Sequence, residues 1–225
     1  MQHLAVFLVV SITLQANRSL QYLLLTMQGN RLQQQLEFII EIDKLKNVLR
    51  QTLLTDSSRR ENSGEHSWHL AIMTMILAEY AVEGTDLFRA MKMTLIHDLV
   101  EIDAGDTFCF DVKGNESKVE RELAAADRIF GILPEEQGKE LRLLWDEFEA
   151  RETATAKFAA ALDRIQPFIH NQQTAGGTWD IHDINRNQVM KRMAPVKEGT
   201  PELWDFILEE IENLIAAGYL KNSEQ

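Results

Sequence analysis

The spacing of apolar residues predicts helices along most of the chain. From Arg31 onward, apolar side chains recur at intervals of three and four residues, which is the period of an amphipathic α-helix. The first such face comprises Leu36, Ile39, Ile40, Leu45, Val48, Leu49 and Leu53. No sustained alternation of β-branched residues, glycine-rich phosphate loop or internal repeat is present in the sequence. We therefore predict an all-α fold.

Capping and turn residues divide this pattern into separate helices. Asn62 followed by Glu65 has the form of a capping box, so we predict a helix over 62–80. Gly84 separates this helix from a third one, which Gly105 ends. The remaining predicted elements are a loop over 107–115 and helices over 116–130, 134–150, 153–173 and 201–217.

Length and composition favour one domain over 31–225, preceded by an N-terminal extension over 1–30. The chain has 225 residues, 45% of them hydrophobic, which is sufficient for one core. The apolar run 4–14 has the composition of a signal-peptide core, but no Lys or Arg precedes it. It is also shorter than the about 20 residues that span a bilayer. We expect a non-native or disordered extension; a signal or anchor, and a natural start at Met27, are the alternatives.

Charge and cysteine content narrow the class of partner. The formal net charge of -12 argues against a protein that binds the backbone of nucleic acids, because such proteins need clustered Lys and Arg. A free mononucleotide remains compatible, since a bound metal supplies local positive charge. The single cysteine, Cys109, allows no intramolecular disulfide. We therefore expect a cytoplasmic protein without membrane association.

The pair His97-Asp98 places two metal-ligating side chains on a helix that is otherwise apolar. In a helical reading, Asp98 falls on a stripe that the 3,4 spacing predicts to be buried. The stripe consists of Leu87, Met91, Thr94, Leu95, Asp98 and Ile102. A buried ionised carboxylate costs several kcal/mol unless a cation or tight hydrogen bonds compensate it. We therefore predict a cation beside Asp98.

Two more helices carry residues of the same chemical kind. The predicted buried stripe of the second helix contains both His66 and His69, together with Leu70, Met73, Ile76, Leu77 and Tyr80. Histidines hydrogen-bonded within the core are the alternative interpretation. Asp163 adjoins the apolar face of a later helix, which Pro167 is expected to kink. A salt bridge between Asp163 and Arg164 is the alternative there.

Three acidic residues follow the His97-Asp98 pair. Glu101 lies one helical turn beyond His97 on the same side, within reach of a metal-bound water. Asp106 comes directly after Gly105, where the end of the helix lets the chain turn back across the site. We interpret Asp103 as part of a solvated helix end.

These motifs resemble the HD-domain superfamily of metal-dependent phosphohydrolases, whose pattern is H…HD…D on an all-helical core. The segments 60–67 (RENSGEHS) and 97–106 (HDLVEIDAGD) look like the branch that contains the 5'-deoxynucleotidases. The resemblance extends over roughly residues 36 to 170. It implies an HD-domain helical bundle with the metal site between its central helices.

The resemblance also implies roles for individual residues. His66, His97, Asp98 and Asp163 would ligate one divalent metal ion, with Mn, Co, Mg, Zn, Fe and Ni not distinguished. Glu101 and Asp106 would act on the water and the leaving group. An upstream arginine would hold the phosphate, and Arg50 is the nearest match, with Arg59 and Arg60 as rivals. We place Arg50, Arg60 and His69 among the substrate-binding residues. Gln51 stands where the deoxynucleotidases have a tryptophan near the sugar, so sugar preference stays open.

We therefore expect a metal-dependent phosphomonoesterase that hydrolyses nucleoside or deoxynucleoside 5'-monophosphates. The resemblance also favours one metal ion over two, because dinuclear members of the superfamily have extra histidines between the HD pair and the last aspartate, and no histidine lies between Asp98 and Asp163 here. The alternatives are a non-catalytic module that binds metal or nucleotide, a phosphodiesterase of the same superfamily acting on another small phosphoester, and an inert helical bundle. The expected partner is a small phosphomonoester and not a nucleic acid, and homodimerisation is expected by family analogy.

Overall fold

The computed structural model describes residues 30–223, which form helices and one short β-hairpin. In chain order the α-helices are α1 (30–42), α2 (Ser63–Ile76), α3 (Leu87–Ile96), α4 (Glu101–Ala104), α5 (Val112–Asn115), α6 (Lys118–Phe130), α7 (Glu135–Ala150), α8 (Ala154–Gln173), α9 (Gly177–Ile181), α10 (Arg186–Met193), α11 (Val196–Gly199) and α12 (Pro201–Ala216). Three 3₁₀ turns lie at Asp43–Asn47, Ala78–Tyr80 and His97–Val100. The all-α prediction is confirmed. The predicted N-terminal extension lies outside the described residues, apart from residue 30.

The hairpin was not predicted and replaces the second half of the first predicted helix. Strand β1 (Leu49–Leu53) pairs antiparallel with β2 (Arg60–Asn62). In β1 the buried positions hold Arg50 and Thr52, and Leu49 is 57% exposed. A strand that buries polar side chains shows no apolar alternation, so its pattern was read as helical. Of the predicted apolar face, only Leu45 is fully buried, and Leu36, Ile39 and Ile40 are exposed.

Most other helix boundaries lie close to the predicted ones. Helices α6, α7, α8 and α12 agree with prediction to within about two residues. The second helix is shorter than predicted, because α2 ends at Ile76 and a 3₁₀ turn follows. Helix α5 lies within the predicted loop, and the short helices α9, α10 and α11 were not predicted. Gly105 ends α4 with φ of 74°, a conformation that favours glycine.

The His97-Asp98 pair lies on a 3₁₀ turn and not within a continuous α-helix. Helix α3 buries Ala90, Met93 and Thr94, whereas Leu87 and Leu95 of the predicted stripe are more than 40% exposed. The prediction of that stripe was therefore wrong in part. The tighter 3₁₀ winding after Ile96 rotates the following residues, and all four side chains of the turn are buried.

Helix α8 forms the centre of the larger apolar core. It buries a run of alanines on several faces, as expected for a helix surrounded by protein. Helix α11 packs closely against it, because a Cβ built on Gly199 would lie 2.2 Å from the carbonyl oxygen of Lys157. Helix α8 continues through Pro167 to Gln173 and carries Asp163 into the interior. None of the helices within 30–223 combines the length and apolar character needed to cross a bilayer.

The predicted capping box is present and begins the helix that carries His66. The Asn62 side chain accepts a hydrogen bond from the Glu65 amide at 2.9 Å, and the Glu65 carboxylate accepts one from the Asn62 amide at 3.1 Å. We expect Asn62→Ala to lower the free energy of unfolding by about 1 kcal/mol, because it leaves a helix N–H without a partner. Asn62→Asp, which retains the acceptor, is the control. Equal urea midpoints for the wild type and Asn62→Ala would contradict this account.

Candidate functional site

Four side chains from three elements converge at one buried point. His66 comes from α2, His97 and Asp98 from the 3₁₀ turn, and Asp163 from α8. The ligand atoms of His66, His97 and Asp98 lie within 4.8 Å of one another. Asp163 Oδ1 lies 3.1 Å from His66 Nε2 and 3.7 Å from His97 Nε2. The structure thus brings together the four residues that the sequence singled out as metal ligands.

His97 presents its Nε2 atom to this cluster. Its Nδ1 lies 3.0 Å from the Thr94 carbonyl oxygen, which only accepts, so Nδ1 carries the proton and donates. Its backbone carbonyl accepts a hydrogen bond from Trp145 Nε1 at 3.1 Å, which holds the turn in place. Nε2 is buried without a hydrogen bond of acceptable geometry, 3.0 Å from Asp98 Oδ1. A ring nitrogen so placed is available as a metal ligand.

His66 is held in the same tautomer by a longer chain of hydrogen bonds. His170 Nδ1 donates to the Leu53 carbonyl of β1 at 2.8 Å, so its Nε2 is an acceptor. The Gln166 amide nitrogen lies 3.0 Å from that Nε2 and donates to it, which orients the amide oxygen toward His66. His66 Nδ1 donates to this oxygen at 3.0 Å. His66 Nε2 is therefore left unprotonated and faces Asp163.

The electrostatics favour the ligand state of these groups. Burial, followed by the charge of Arg50, lowers the pKa of His66 to about 4. Burial opposes ionisation of Asp98, but His97 and Arg50 outweigh it and hold the pKa of Asp98 below its usual range. For Asp163, the contacts of its carboxylate with the Nε2 atoms of His66 and His97, followed by the charge of Arg192, outweigh burial and hold its pKa well below that range. A neutral imidazole and two carboxylates are thus present at neutral pH.

The donor set fits a divalent cation. Two imidazole nitrogens and two carboxylates suit metals such as Zn, Mn, Fe, Co and Ni. The Nε2 atom of His97 has no hydrogen-bond partner. Oxygens of Asp98 and Asp163 lie 3.0 to 3.9 Å from the Nε2 atoms of the two histidines, so a cation between these groups would be stabilised. Burial opposes protonation of His97, yet Asp98 and Asp163 raise the pKa of His97 well above its ordinary value. A proton there is what a metal ion would displace.

Arg50, Glu101 and Asp106 lie beside this cluster. Arg50 Nη1 donates to Asp98 Oδ2 at 2.8 Å and lies 3.9 Å from Asp106 Oδ1. Burial raises the pKa of Glu101 well above its usual range, with a further contribution from Asp98. Glu101 Oε2 also accepts a hydrogen bond from Ser63 Oγ at 2.6 Å. Burial and the charge of Asp98 raise the pKa of Asp106 as well, although Arg50 opposes this.

A cavity of about 280 Å³ opens onto these groups, near the lower end of the range of about 300 to 1,000 Å³ for ligand pockets. Its acidic lining residues are Asp98, Glu101, Asp106 and Asp163. Its basic lining residues are Arg50, Lys118, Arg151, Arg164 and Arg192. Gln51 also lines it, at the position where the resembling family has tryptophan. The cavity therefore joins the candidate ligands, the candidate proton-transfer groups and several cations.

Two predicted substrate-binding residues do not line this cavity. Arg60 is exposed, because side chains alternate along β2 and its neighbour Glu61 takes the buried side. Arg59 pairs with Glu65 at the surface, at 2.5 Å. His69 is half-buried one turn after His66, where it faces the side chains of Gln166 and His170. Arg60 and His69 thus lie outside the cavity, whereas Arg50 lines it.

Glu61, Gln166 and His170 were missed as parts of the site. Glu61, His69 and His170 form a second group of ligand-type atoms within 4.8 Å. The Gln166 amide nitrogen lies among them, 2.6 Å from Glu61 Oε1, 3.3 Å from His69 Nδ1 and 3.0 Å from His170 Nε2. This second group is therefore a hydrogen-bonded support for His66. Asp163, Gln166 and His170 have i, i+3 and i+7 spacing, which places them on one face of a helix and could have indicated from the sequence that they act together.

Comparison with known proteins agrees with this geometry. Residues 42–204 match the family model described as HD domain. The chain belongs to this family. It is 31% identical over 145 residues to human 5'-deoxynucleotidase HDDC2, and this alignment covers 64% of this chain and 70% of the human protein. The protein of that name from Dictyostelium discoideum is 30% identical over 140 residues, covering 60% of this chain and 74% of that protein.

Solved structures show the same fold. A protein from Magnetospirillum magnetotacticum, described as a "predicted metal-dependent phosphohydrolase", superposes with a TM-score of 0.82 and 52% sequence identity. The match covers 85% of this chain and 96% of that one. A conserved hypothetical protein from Pyrococcus furiosus, at 22% identity and a TM-score of 0.56, shares the fold.

Glu61 makes a specific pH dependence testable. Burial is the main cause that raises the pKa of Glu61 to about 7. Because the folded state holds this proton more tightly than the unfolded chain, its stabilisation is complete below about pH 4.5 and is lost as pH rises through about 7. We expect Glu61→Gln to remove up to about 1.4 kcal/mol per pH unit from the slope of unfolding free energy between about pH 5 and 7.

The measurement is urea unfolding of chelator-treated protein at several pH values. Glu83→Gln, at an exposed position, is the control and should keep the slope of the wild type. The same slope in Glu61→Gln and the wild type would disprove the assigned titration.

Proposed function

We propose that this chain is a metal-dependent phosphomonoesterase that hydrolyses nucleoside or deoxynucleoside 5'-monophosphates. The supporting observation is that His66, His97, Asp98 and Asp163 meet at one point, and that Asp98 and Asp163 line a cavity together with Arg50. The names of the relatives support a nucleotide as substrate. We also propose one metal ion per chain, because the amide nitrogen of Gln166 lies within the second group of ligand-type atoms. Cytoplasmic location and homodimerisation stay predictions.

The residues of the cavity suggest how the reaction proceeds. A divalent metal held by the four ligands would polarise the phosphoryl group and lower the pKa of a coordinated water. Arg50 is a permanent cation, because carboxylates around it outweigh burial and raise its pKa, so it binds the dianionic phosphate. Glu101, fixed by Ser63, orients the attacking water for in-line displacement.

Asp106 suits the role of proton donor. Its raised pKa increases the fraction that carries a proton near neutral pH. In this mechanism it protonates the departing alkoxide, and the products are a nucleoside and inorganic phosphate. Acid-base assistance of this kind contributes about 10² to 10⁴ in rate.

The direct test is phosphate release from a panel of 5'-mononucleotides and other small phosphomonoesters, each with Mn, Co, Mg and Zn. We expect metal-dependent release from 5'-mononucleotides and loss of activity after chelation. Tight nucleotide binding without release under any metal would instead support a non-catalytic module.

Variants of the acidic residues separate metal binding from turnover. We expect His97→Ala and Asp98→Ala to abolish stoichiometric metal binding, since each removes a ligand. Glu101→Ala should retain metal but lose most turnover. Asp103→Asn is the matched control, because Asp103 is exposed and pairs with Arg128 away from the cavity. Full activity of Glu101→Ala in a kinetic assay would refute its role.

Gln166 provides a test of the hydrogen bonds behind the ligands. Gln166→Met keeps the size of the side chain but removes the acceptor for His66 Nδ1, so the ring loses its fixed tautomer. We expect metal affinity, measured by chelator competition, to fall about 10- to 100-fold. Gln172→Met, at a position of the same helix outside the cavity, is the control and should bind metal normally. Unchanged affinity in Gln166→Met would contradict this role.

A further inference from the structure

Two arginines in the cavity have no part in the proposed mechanism. Arg164 on α8 and Arg192 on α10 both line the cavity that is also lined by the candidate ligands Asp98 and Asp163. Two other cations there have carboxylate partners of their own: Lys118 lies 3.5 Å from Glu122, and Arg151 lies 4.0 Å from Glu149. Arg164 and Arg192 are therefore the cations whose presence needs another explanation.

Both of these arginines depend on Asp163. Asp163 Oδ2 lies 3.5 Å from Arg192 Nη2 and 3.7 Å from Arg164 Nη1. Within residues 30–223 no other carboxylate lies within 4.0 Å of either guanidinium. Asp163 Oδ1 faces the two histidines. If Asp163 ligates a metal, its charge is shared with that ion, and the two arginines lose most of their compensation.

The guanidinium group of Arg164 keeps one N–H without a hydrogen-bond partner, even with Asp163 nearby. The residue is 3% exposed, and its Nη1 donates to the Ala160 carbonyl oxygen at 2.6 Å. Its Nε is buried without a partner. A buried guanidinium with a free donor is suited to bind an anion.

The space beside these arginines extends beyond the metal cluster. A second cavity of about 550 Å³ shares Arg151, Arg164 and Arg192 with the first and adds Lys191. A basic surface therefore continues outward from Asp163 in a chain whose formal net charge is -12. A lone phosphate at the metal would leave this surface without a partner.

We infer that Arg192 and Arg164 bind a second phosphate group on the alcohol part of the substrate. This inference rests on the proposed phosphomonoesterase function. In the proposed mechanism Asp106 protonates a departing alkoxide, so we place the second phosphate on that alcohol and not in an anhydride. The substrate class is then a phosphomonoester such as a nucleoside 3',5'-bisphosphate. Water breaks one P–O ester bond, releasing inorganic phosphate and leaving a monophosphate.

The test compares binding and turnover of matched nucleotides. Calorimetry of the Mn-loaded Glu101→Gln variant measures affinity without turnover for adenosine 5'-monophosphate, 5'-diphosphate and 3',5'-bisphosphate. We expect the bisphosphate to bind at least tenfold more tightly than the other two. Equal affinity for the monophosphate and the bisphosphate would overturn the inference. Tighter binding of the diphosphate would overturn the placement of the second phosphate on the alcohol.

Arg192→Gln identifies the residue responsible, and Arg186→Gln on the same helix is the control, because Arg186 pairs with Glu212 outside the cavity. In an otherwise wild-type background, Arg192→Gln should lower kcat/KM for the bisphosphate at least tenfold and that for the monophosphate less than threefold. A role confined to positioning Asp163 would instead weaken metal binding and lower both values equally, which would overturn the inference.

The two proposals fail in different ways. Absence of phosphate release from every nucleotide by the wild-type enzyme with any metal would refute the phosphomonoesterase. Even in that case, calorimetry would show whether the protein binds the bisphosphate more tightly than the monophosphate. Calorimetry of Arg192→Gln would show whether this preference depends on Arg192.

Discussion

Arg50 reaches from β1 into the interior and donates to Asp98, in a region where Glu101, Asp106 and Asp163 are also largely removed from water. Buried carboxylates repel one another and lose hydration, at a cost of several kcal/mol per ion unless cations compensate them. Arg50 donates to Asp98, Arg164 and Arg192 face only Oδ2 of Asp163, and His66 is neutral, so apart from a proton on His97 the carboxylate oxygens beside the two histidines lack a cation. The helices, the 3₁₀ turn and the hairpin surround this excess of negative charge, and a divalent metal ion would compensate it.

The orientation of the two histidines shows how the fold prepares for such an ion. Each ring uses Nδ1 for a hydrogen bond to a fixed acceptor, Thr94 for His97 and Gln166 for His66. Each therefore presents its Nε2 atom to the two carboxylates. For His66 the chain of hydrogen bonds ends at the backbone of β1, so the hairpin helps to set the state of a ligand. Ligands oriented before binding lose less conformational entropy when a metal arrives.

The parts of the site that the sequence predicted are those in which local pattern and chemistry coincide. Asp98 and His66 fell on predicted buried faces, and buried polar groups of this kind call for a ligand. Gln166 and His170 were missed because their roles arise from contacts with α2 and β1, far away in sequence. Arg60 lies outside the cavity because it stands on the exposed side of the hairpin, an element that the apolar pattern did not predict. Its buried positions are polar, so apolar periodicity carried no signal of a strand.

The account depends most on one ion lying between α2, the 3₁₀ turn and α8. Anomalous diffraction from crystals grown with Mn or Zn locates such an ion directly. We expect one strong peak at about 2.0 to 2.3 Å from His66 Nε2 and His97 Nε2, with Asp98 and Asp163 completing its protein ligands. A peak among Glu61, His69 and His170 instead would contradict the account. Well-ordered side chains at the four candidate ligands with no metal peak between them would also contradict it.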